Sequence, residues 1–160
     1  MAREKQFRVA IGSDDAGYQY KERIKQDLLA DPRVSEVFDV GIQDGESSDY
    51  PDIAFDAAIR IQKGLSDRAV LVCGTGLGVA ISANKVKGIR AVTASDPYSV
   101  ERSVLSNDAQ VLCLGQRVIG IELARHLVTS WLRFEFNPLS NSAKKVNKIK
   151  AFETAPENKL

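Results

Sequence analysis

Cysteine is scarce in this chain of 160 residues: there are two, Cys73 and Cys113. Each sits inside a short apolar run that reads as a buried strand, and neither has the close spacing of a zinc ligand set, so a disulfide framework and a structural zinc site are both unexpected. Histidine is scarcer still, with His126 alone, inside a helical stretch where a surface or packing role is the ordinary one. An excess of either charge is also missing. Lysine plus arginine number 22 against 21 acidic residues, which leaves no global field for holding a nucleic-acid backbone or an anionic membrane. Any anion must be held locally. Long hydrophobic runs are absent too: the charged N-terminus, Met1 to Gln6, leads straight into a short apolar segment, without the stretch of a signal peptide or a membrane span. These absences predict a soluble, cytoplasmic protein without nucleic-acid or membrane partners, and its length suits one domain over residues 1–160.

What is present is an alternation. Short apolar runs at Phe7 to Gly12, Val34 to Val40, Arg68 to Cys73, Ile89 to Thr93 and Ala109 to Leu114 read as strands, and they lack strict polar alternation, as strands covered on both faces do. Between them, Tyr18 to Leu29 carries Tyr20, Ile24 and Leu28 on one helical face, and Asp52 to Ile61 repeats the spacing with Ile53, Ala57 and Ile61. Asp96-Pro97 reads as an N-cap with proline at the first helical position, opening a helix to about Leu105. Val118 to Leu132 is the longest amphipathic stretch, whose Leu123, Leu127 and Trp131 face either the sheet or a second subunit. A basic tail, about 138–160, has room for a short helix around Lys144 to Ile149. The pattern predicts a single doubly wound α/β domain, a five-stranded parallel sheet with helices on both faces, flavodoxin-like or Rossmann-like. Ligands of such sheets bind outside the carboxyl ends of the strands, so chemistry is expected in the loops that begin at Ser13, Gly41, Gly74, Ala94 and Gly115.

One of these loops stands out. In Cys73-Gly74-Thr75-Gly76-Leu77-Gly78 a buried strand ends, three glycines follow at alternate positions and a helix begins. Glycines let the backbone approach a ligand, and amides at a helix N-terminus favour a phosphate or a developing enolate oxygen. The same partial charges would give a cysteine there thiolate character. The plain alternatives are an inert buried cysteine and a turn kept for close packing. No register gives the dinucleotide fingerprint G-x-G-x-x-G, which argues against a Rossmann dehydrogenase. Asp14 and Asp15 end the first strand at the same rim, where an aspartate is also an ordinary cap, and Tyr50 opens a helix after a turn.

Taken together, the loops resemble a family. Ser13-Asp14-x-Ala16-Gly17, Asp49-Tyr50-Pro51-Asp52, Cys73 to Gly78, Ala83-Asn84-Lys85-Val86-x-Gly88-Ile89-Arg90-Ala91, Asn107-Asp108-Ala109 and Gly115-Gln116-Arg117-Val118-Ile119-Gly120 resemble ribose-5-phosphate isomerase B, in order from about Arg8 to Phe152. The same family holds galactose-6-phosphate isomerase subunits and isomerases of tetrulose phosphates. The resemblance implies an aldose–ketose isomerase of the pentose phosphate type, without metal or cofactor, in which Cys73 moves a proton between C1 and C2 through a cis-enediol. Thr75 would assist at the substrate oxygens. Amides of Gly74 to Gly78, with Asn107, would stabilise the enediolate, and Asp14 and Tyr50 would orient sugar hydroxyls. Members that use glutamate carry it at the position of Val79, so the cysteine version applies. The resemblance further implies a homodimer whose site is completed by the partner, the tail reaching across, with phosphate held at Arg117 and Lys145; pairing of dimers into tetramers stays open. Arg117 has a structural alternative, tying down carbonyls of its glycine turn.

Three positions depart from the ribose-5-phosphate pattern. The histidine that helps open the furanose ring is Ser106, the histidine that touches phosphate is Asp15, and an arginine of the tail is Asn141. A carboxylate at position 15 repels phosphate unless it is protonated or turned away. A substrate that cannot cyclise needs no ring-opening acid, and a tetrose 4-phosphate is one, because no hydroxyl remains to close a five-membered ring. A metal-assisted hydride shift would need a cluster of carboxylate and histidine ligands that one histidine does not supply. A noncatalytic phosphosugar-binding module on the same fold is the alternative from a different class.

Overall fold

The computed structural model describes residues 5–155; residues 1–4 and 156–160, the outer ends of the expected domain and tail, lie outside the described residues. Strands β1 (Phe7–Ser13), β2 (Val34–Gly41), β3 (Arg68–Cys73), β4 (Ala91–Thr93) and β5 (Val111–Gly115) form one parallel sheet in the order β2-β1-β3-β5-β4. Helices α1 (Tyr18–Ala30), α2 (Tyr50–Gln62), α3 (Leu77–Ala83), α4 (Pro97–Leu105), α5 (Ile121–Trp131) and α6 (Ala143–Thr154) complete the chain. The doubly wound α/β expectation holds. In a flavodoxin-like sheet, however, the last strand lies at the edge; here β5 lies inside and β4 takes the edge.

The central strands β1, β3 and β5 lack polar alternation because both sheet faces are dry there, whereas edge strand β2 leaves Ser35, Glu36 and Phe38 exposed. Phe7, Val9 and Ile11 of β1 pack with Ile24 and Leu28 of α1, Val100 and Val104 of α4, and Leu127 and Trp131 of α5. Ala10 of the same strand, with Leu71 and Cys113, packs instead on Ile53 and Ala57 of α2 and Val79 of α3. Leu127 and Trp131 thus face the sheet, while Leu123 stays partly exposed and His126 lies on the surface. No helix among the described residues is long and apolar enough to cross a membrane.

Two strands begin later than their apolar runs. Arg90 donates to the carbonyls of Asn107 and Asp108, and its own amide goes to Gln110 Oε1, so this stretch is held by side-chain bonds. Asp108 adopts φ 50°, which interrupts extended backbone ahead of β5. Helix α5 starts after the expected Val118, because Val118 and Ile119 both donate to the Gly115 carbonyl in a tight turn.

The chain direction reverses between β1 and β3: β1 leads outward to β2, and β3 returns on its other side. The loops after β1 and β3 therefore diverge around one crevice at the carboxyl rim. Gly17 permits the contact beneath it. A Cβ there would lie 2.3 Å from the Val72 carbonyl oxygen and 2.5 Å from its carbon. Backbone of a central strand cannot yield, so Gly17→Ala is expected to cost about 2 kcal/mol or more and to lower the melting temperature. Gly120→Ala, where nothing lies within 4 Å, is the control and should change little.

Inside the layer between α1 and β2 lies one buried cation. Lys21 is fully buried, and its Nζ donates to Asp39 Oδ1 and Oδ2 (3.1 and 2.8 Å) and to the Ile42 carbonyl (2.5 Å), with Glu22 at 2.9 Å. Burial acts to raise the Asp39 carboxyl, but the hydrogen bonds from Lys21 and Lys25 outweigh it and hold Asp39 below the ordinary carboxylate range. A buried ammonium costs several kcal/mol unless so paired. The pairing fixes the carbonyl at which the chain leaves β2 for the 43–49 loop.

Candidate active site

The crevice is built on the turn after β3. Gly76 adopts φ 79°, a left-handed conformation open to glycine at no steric cost, and its amide turns back to donate to Cys73 Sγ at 3.0 Å. The sulfur therefore faces the glycine turn at the end of its strand. In the single chain it is almost closed over, at 4 % exposure. Thr75 projects from the turn and its Oγ1 accepts from the Leu77 amide (3.2 Å), while Thr93 Oγ1, from the end of β4, donates to the Gly76 carbonyl (2.7 Å). Helix α3 has only seven residues and no side-chain cap, so donors here come chiefly from the turn's amides and the macrodipole adds little. The second cysteine is core: burial first, then nearby Cys73, push the Cys113 thiol far up.

Around the turn stand most of the side chains singled out in the sequence. The Tyr50 ring lies on Gly78, where a Cβ would come within 2.6 Å of it. A Cβ on Gly74 would meet Arg117 Nη1 at 3.2 Å and Ala16 Cβ at 3.6 Å, which brings the guanidinium over the turn. Arg117 anchors the loop through its amide, which donates to the Gly74 carbonyl (3.0 Å). Its side chain makes no hydrogen bond or ion pair among the described residues, unlike an arginine that ties down carbonyls. Asp14 caps the short turn Asp15–Gly17, its Oδ1 accepting from the amides of Ala16 and Gly17 (3.0 and 3.2 Å). Burial raises the Asp14 carboxyl, the two amides and Arg117 pull the other way, and the net shift is upward.

Asp15 points elsewhere. Its Oδ2 accepts from Ser47 Oγ (2.7 Å) and its Oδ1 from the Ser48 amide (3.2 Å), which holds its carboxyl below the ordinary range. Both oxygens are thus bound to the 43–49 loop. Asn107 and Lys145 lie apart from the turn within one chain. Asn107 precedes β5, at the amino ends of the strands, with its backbone carbonyl bound by Arg90. Lys145 belongs to α6, which meets that same end through Lys150 and Asp108 (3.8 Å). A cavity of about 570 Å³ opens there too, lined by Phe7, Arg8, Arg68, Asp108 and Lys150. Ser106, beside Asn107, accepts from Arg102 Nε and Nη2 (2.9 and 2.6 Å).

Sequence reasoning missed Thr93, Ser47 and Ser48. Thr93 carried a usable signal, a hydroxyl at the carboxyl end of a strand beside the glycine turn; the serines carried none beyond lying in a polar loop. Among the described residues, no three His, Cys, Asp or Glu side chains converge as a metal set. The arrangement offers a thiol, a hydroxyl and a cradle of amides on one wall, with a free cation above it. That is equipment for moving a proton next to a carbonyl and holding the resulting negative oxygen.

A ribose/galactose isomerase family model matches residues 9–149. D-erythrulose-4-phosphate isomerase 2 of Mycolicibacterium smegmatis is 60 % identical over 150 residues, covering 93 % of this chain and 99 % of that protein. Ribose-5-phosphate isomerase B of Escherichia coli is 42 % identical, covering 81 % and 85 %. The solved type B ribose 5-phosphate isomerase of Leishmania infantum superposes with a TM-score of 0.87 at 36 % identity, covering 92 % of this chain and 97 % of its own.

Proposed function

Because the chain belongs to the ribose/galactose isomerase family and is an aldose–ketose isomerase of a phosphorylated sugar, we propose that its substrate is a tetrulose 4-phosphate, erythrulose 4-phosphate in the first instance. The observation that carries this reading is Ser106. It stands where ribose-5-phosphate isomerases have the ring-opening histidine, and its oxygen is taken up by two donors of Arg102 (2.9 and 2.6 Å). Unlike an imidazole, a serine hydroxyl is far too weak an acid at neutral pH to open a furanose. A tetrose 4-phosphate stays open-chain and asks for none. The relative at 60 % identity, named for erythrulose 4-phosphate, supports the same substrate.

On this reading the Cys73 thiolate removes a proton from C1 of the ketose, giving a cis-enediolate, and returns it to C2. Thr75 passes the hydroxyl proton between O1 and O2. The amides of Gly74 and Gly78 face the oxygen that becomes negative, while that of Gly76 stays on the sulfur; Asp14 and Tyr50 orient the remaining hydroxyls, and Arg117, free above the turn, takes the phosphate. The distance between Asn107, Lys145 and Cys73 within one chain supports a homodimer in which these two reach the partner's cradle, Asn107 to the enediolate and Lys145 to the phosphate. The binding-module alternative loses ground, since thiol, hydroxyl and amide cradle are all in place.

Steady-state kinetics of the purified enzyme on erythrulose 4-phosphate and ribose 5-phosphate test the substrate. We expect kcat/KM to favour the tetrulose by about 100-fold or more. Equal or better use of the pentose would refute the assignment.

A further inference from the structure

We propose that Asp15 is a specificity-positioning residue, whose carboxylate latches the 43–49 loop onto the turn after β1 and makes that loop a fixed end wall for a four-carbon sugar. The inference rests on the reading of this rim as a tetrulose phosphate site. Both carboxylate oxygens are used: Oδ2 takes the Ser47 hydroxyl (2.7 Å) and Oδ1 the Ser48 amide (3.2 Å), across more than thirty residues of sequence. Hydrogen bonds from these two groups keep the carboxyl charged well into acid, so the latch is charge-assisted at neutral pH.

The loop has little else to hold its far half. Its start is tied, by the Ile42 amide to the Ser13 carbonyl (3.0 Å) and by Lys21 to the Ile42 carbonyl. Within it, Gln43 and Glu46 bond to each other. Beyond Glu46, apart from the Asp49 carbonyl that accepts from the Asp52 amide at the start of α2, the bonds to another element among the described residues are those to Asp15. The chain then enters α2 at Tyr50, whose ring lies on Gly78 of the catalytic turn. Fixing Ser48 two residues before Tyr50 therefore fixes how the ring meets the cradle.

Charge points the same way. The latched loop carries Asp44, Glu46 and Asp49 in its sequence, while Arg117 stands over Gly74. Phosphate is thereby favoured at the Arg117 end, and the chain of the sugar must fit between it and the wall. The same geometry removes the conflict of a carboxylate in a phosphate site, because Asp15 is spent on the serines.

The test is kcat and KM of Asp15→Ala, Ser47→Ala and Asp15→Asn on erythrulose 4-phosphate and ribose 5-phosphate, with circular dichroism and melting to verify the fold. Asp15→Ala and Ser47→Ala should raise KM for the tetrulose about tenfold with a smaller change in kcat, as expected for a lost charge-assisted hydrogen bond, and the tetrulose-to-pentose ratio of kcat/KM should fall by at least as much. Asp15→Asn keeps one oxygen to accept the Ser48 amide and presents an NH2 that can donate to the Ser47 hydroxyl oxygen, so it should retain most of the ratio. An unchanged ratio in folded Ser47→Ala overturns the proposal even if Asp15→Ala does not fold. Equal damage by Asp15→Asn and Asp15→Ala also overturns it, since charge at the sugar would then be at work. A wild-type enzyme that prefers the pentose defeats only the substrate assignment, because the latch is judged by the shift in the ratio.

Discussion

Cys73→Ser is expected to lower kcat on erythrulose 4-phosphate by about 10²- to 10⁴-fold, the range for losing a positioned general base, with KM changed only a few-fold. Serine is the informative replacement. Its oxygen can still accept the Gly76 amide that now bonds to Sγ at 3.0 Å, so the left-handed turn keeps its closure. A hydroxyl at neutral pH has almost none of the basicity of a thiolate, so binding survives and proton transfer does not. Cys73→Ala should lose as much turnover, with a further small cost in stability, because the residue is buried among Leu71, Val79 and Cys113. Isotope exchange isolates the step: wild type should place solvent deuterium at C1 or C2 of recovered sugar, and the serine variant should not. Wild-type turnover in a folded serine variant would remove the thiol from the mechanism.

The near burial of this sulfur bears on how it works. A thiol at 4 % exposure lies at the glycine turn, with the Arg117 guanidinium over Gly74 and the Tyr50 ring on Gly78. Gly74, Gly76 and Gly78 meet three different needs. Gly74 leaves room for Arg117, Gly76 supplies the left-handed bend, and Gly78 accommodates Tyr50.

Much of this frame was legible in the sequence, for a definite reason. A central strand covered on both sides is apolar at nearly every position, so runs such as Ala69 to Cys73 reveal themselves, and glycines at alternate positions after a buried strand reveal a backbone cradle. Contacts between distant segments were not legible. Nothing near Asp15 announces Ser47, nothing near Lys21 announces Asp39, and the exchange of β4 and β5 leaves no local mark. The rule that chemistry gathers at carboxyl ends finds Cys73, Asp14 and Arg117 but would have passed over Asn107 and Lys145, which lie at the other rim. Resemblance alone brought those two forward, and the roles proposed for them raise the question of how one site would use both ends of a sheet.

A shared site answers it and makes a quantitative claim. If Asn107 and Lys145 serve the partner's cradle, Cys73→Ser and Asn107→Ala damage different halves of the same site. Each variant alone should retain no more than a few per cent of wild-type turnover. Coexpressed with different tags in equal amounts, they should regain about a quarter: half of the dimers are mixed, and each mixed dimer carries one intact site of two. Purification through both tags in succession should raise the recovery to about half. A site contained in one chain predicts the opposite, since every subunit then carries a lesion and mixing restores nothing. The rescued activity should also show the wild-type KM for the tetrulose, because an intact site has the thiol of one subunit and the Asn107 and Lys145 of the other in their native places.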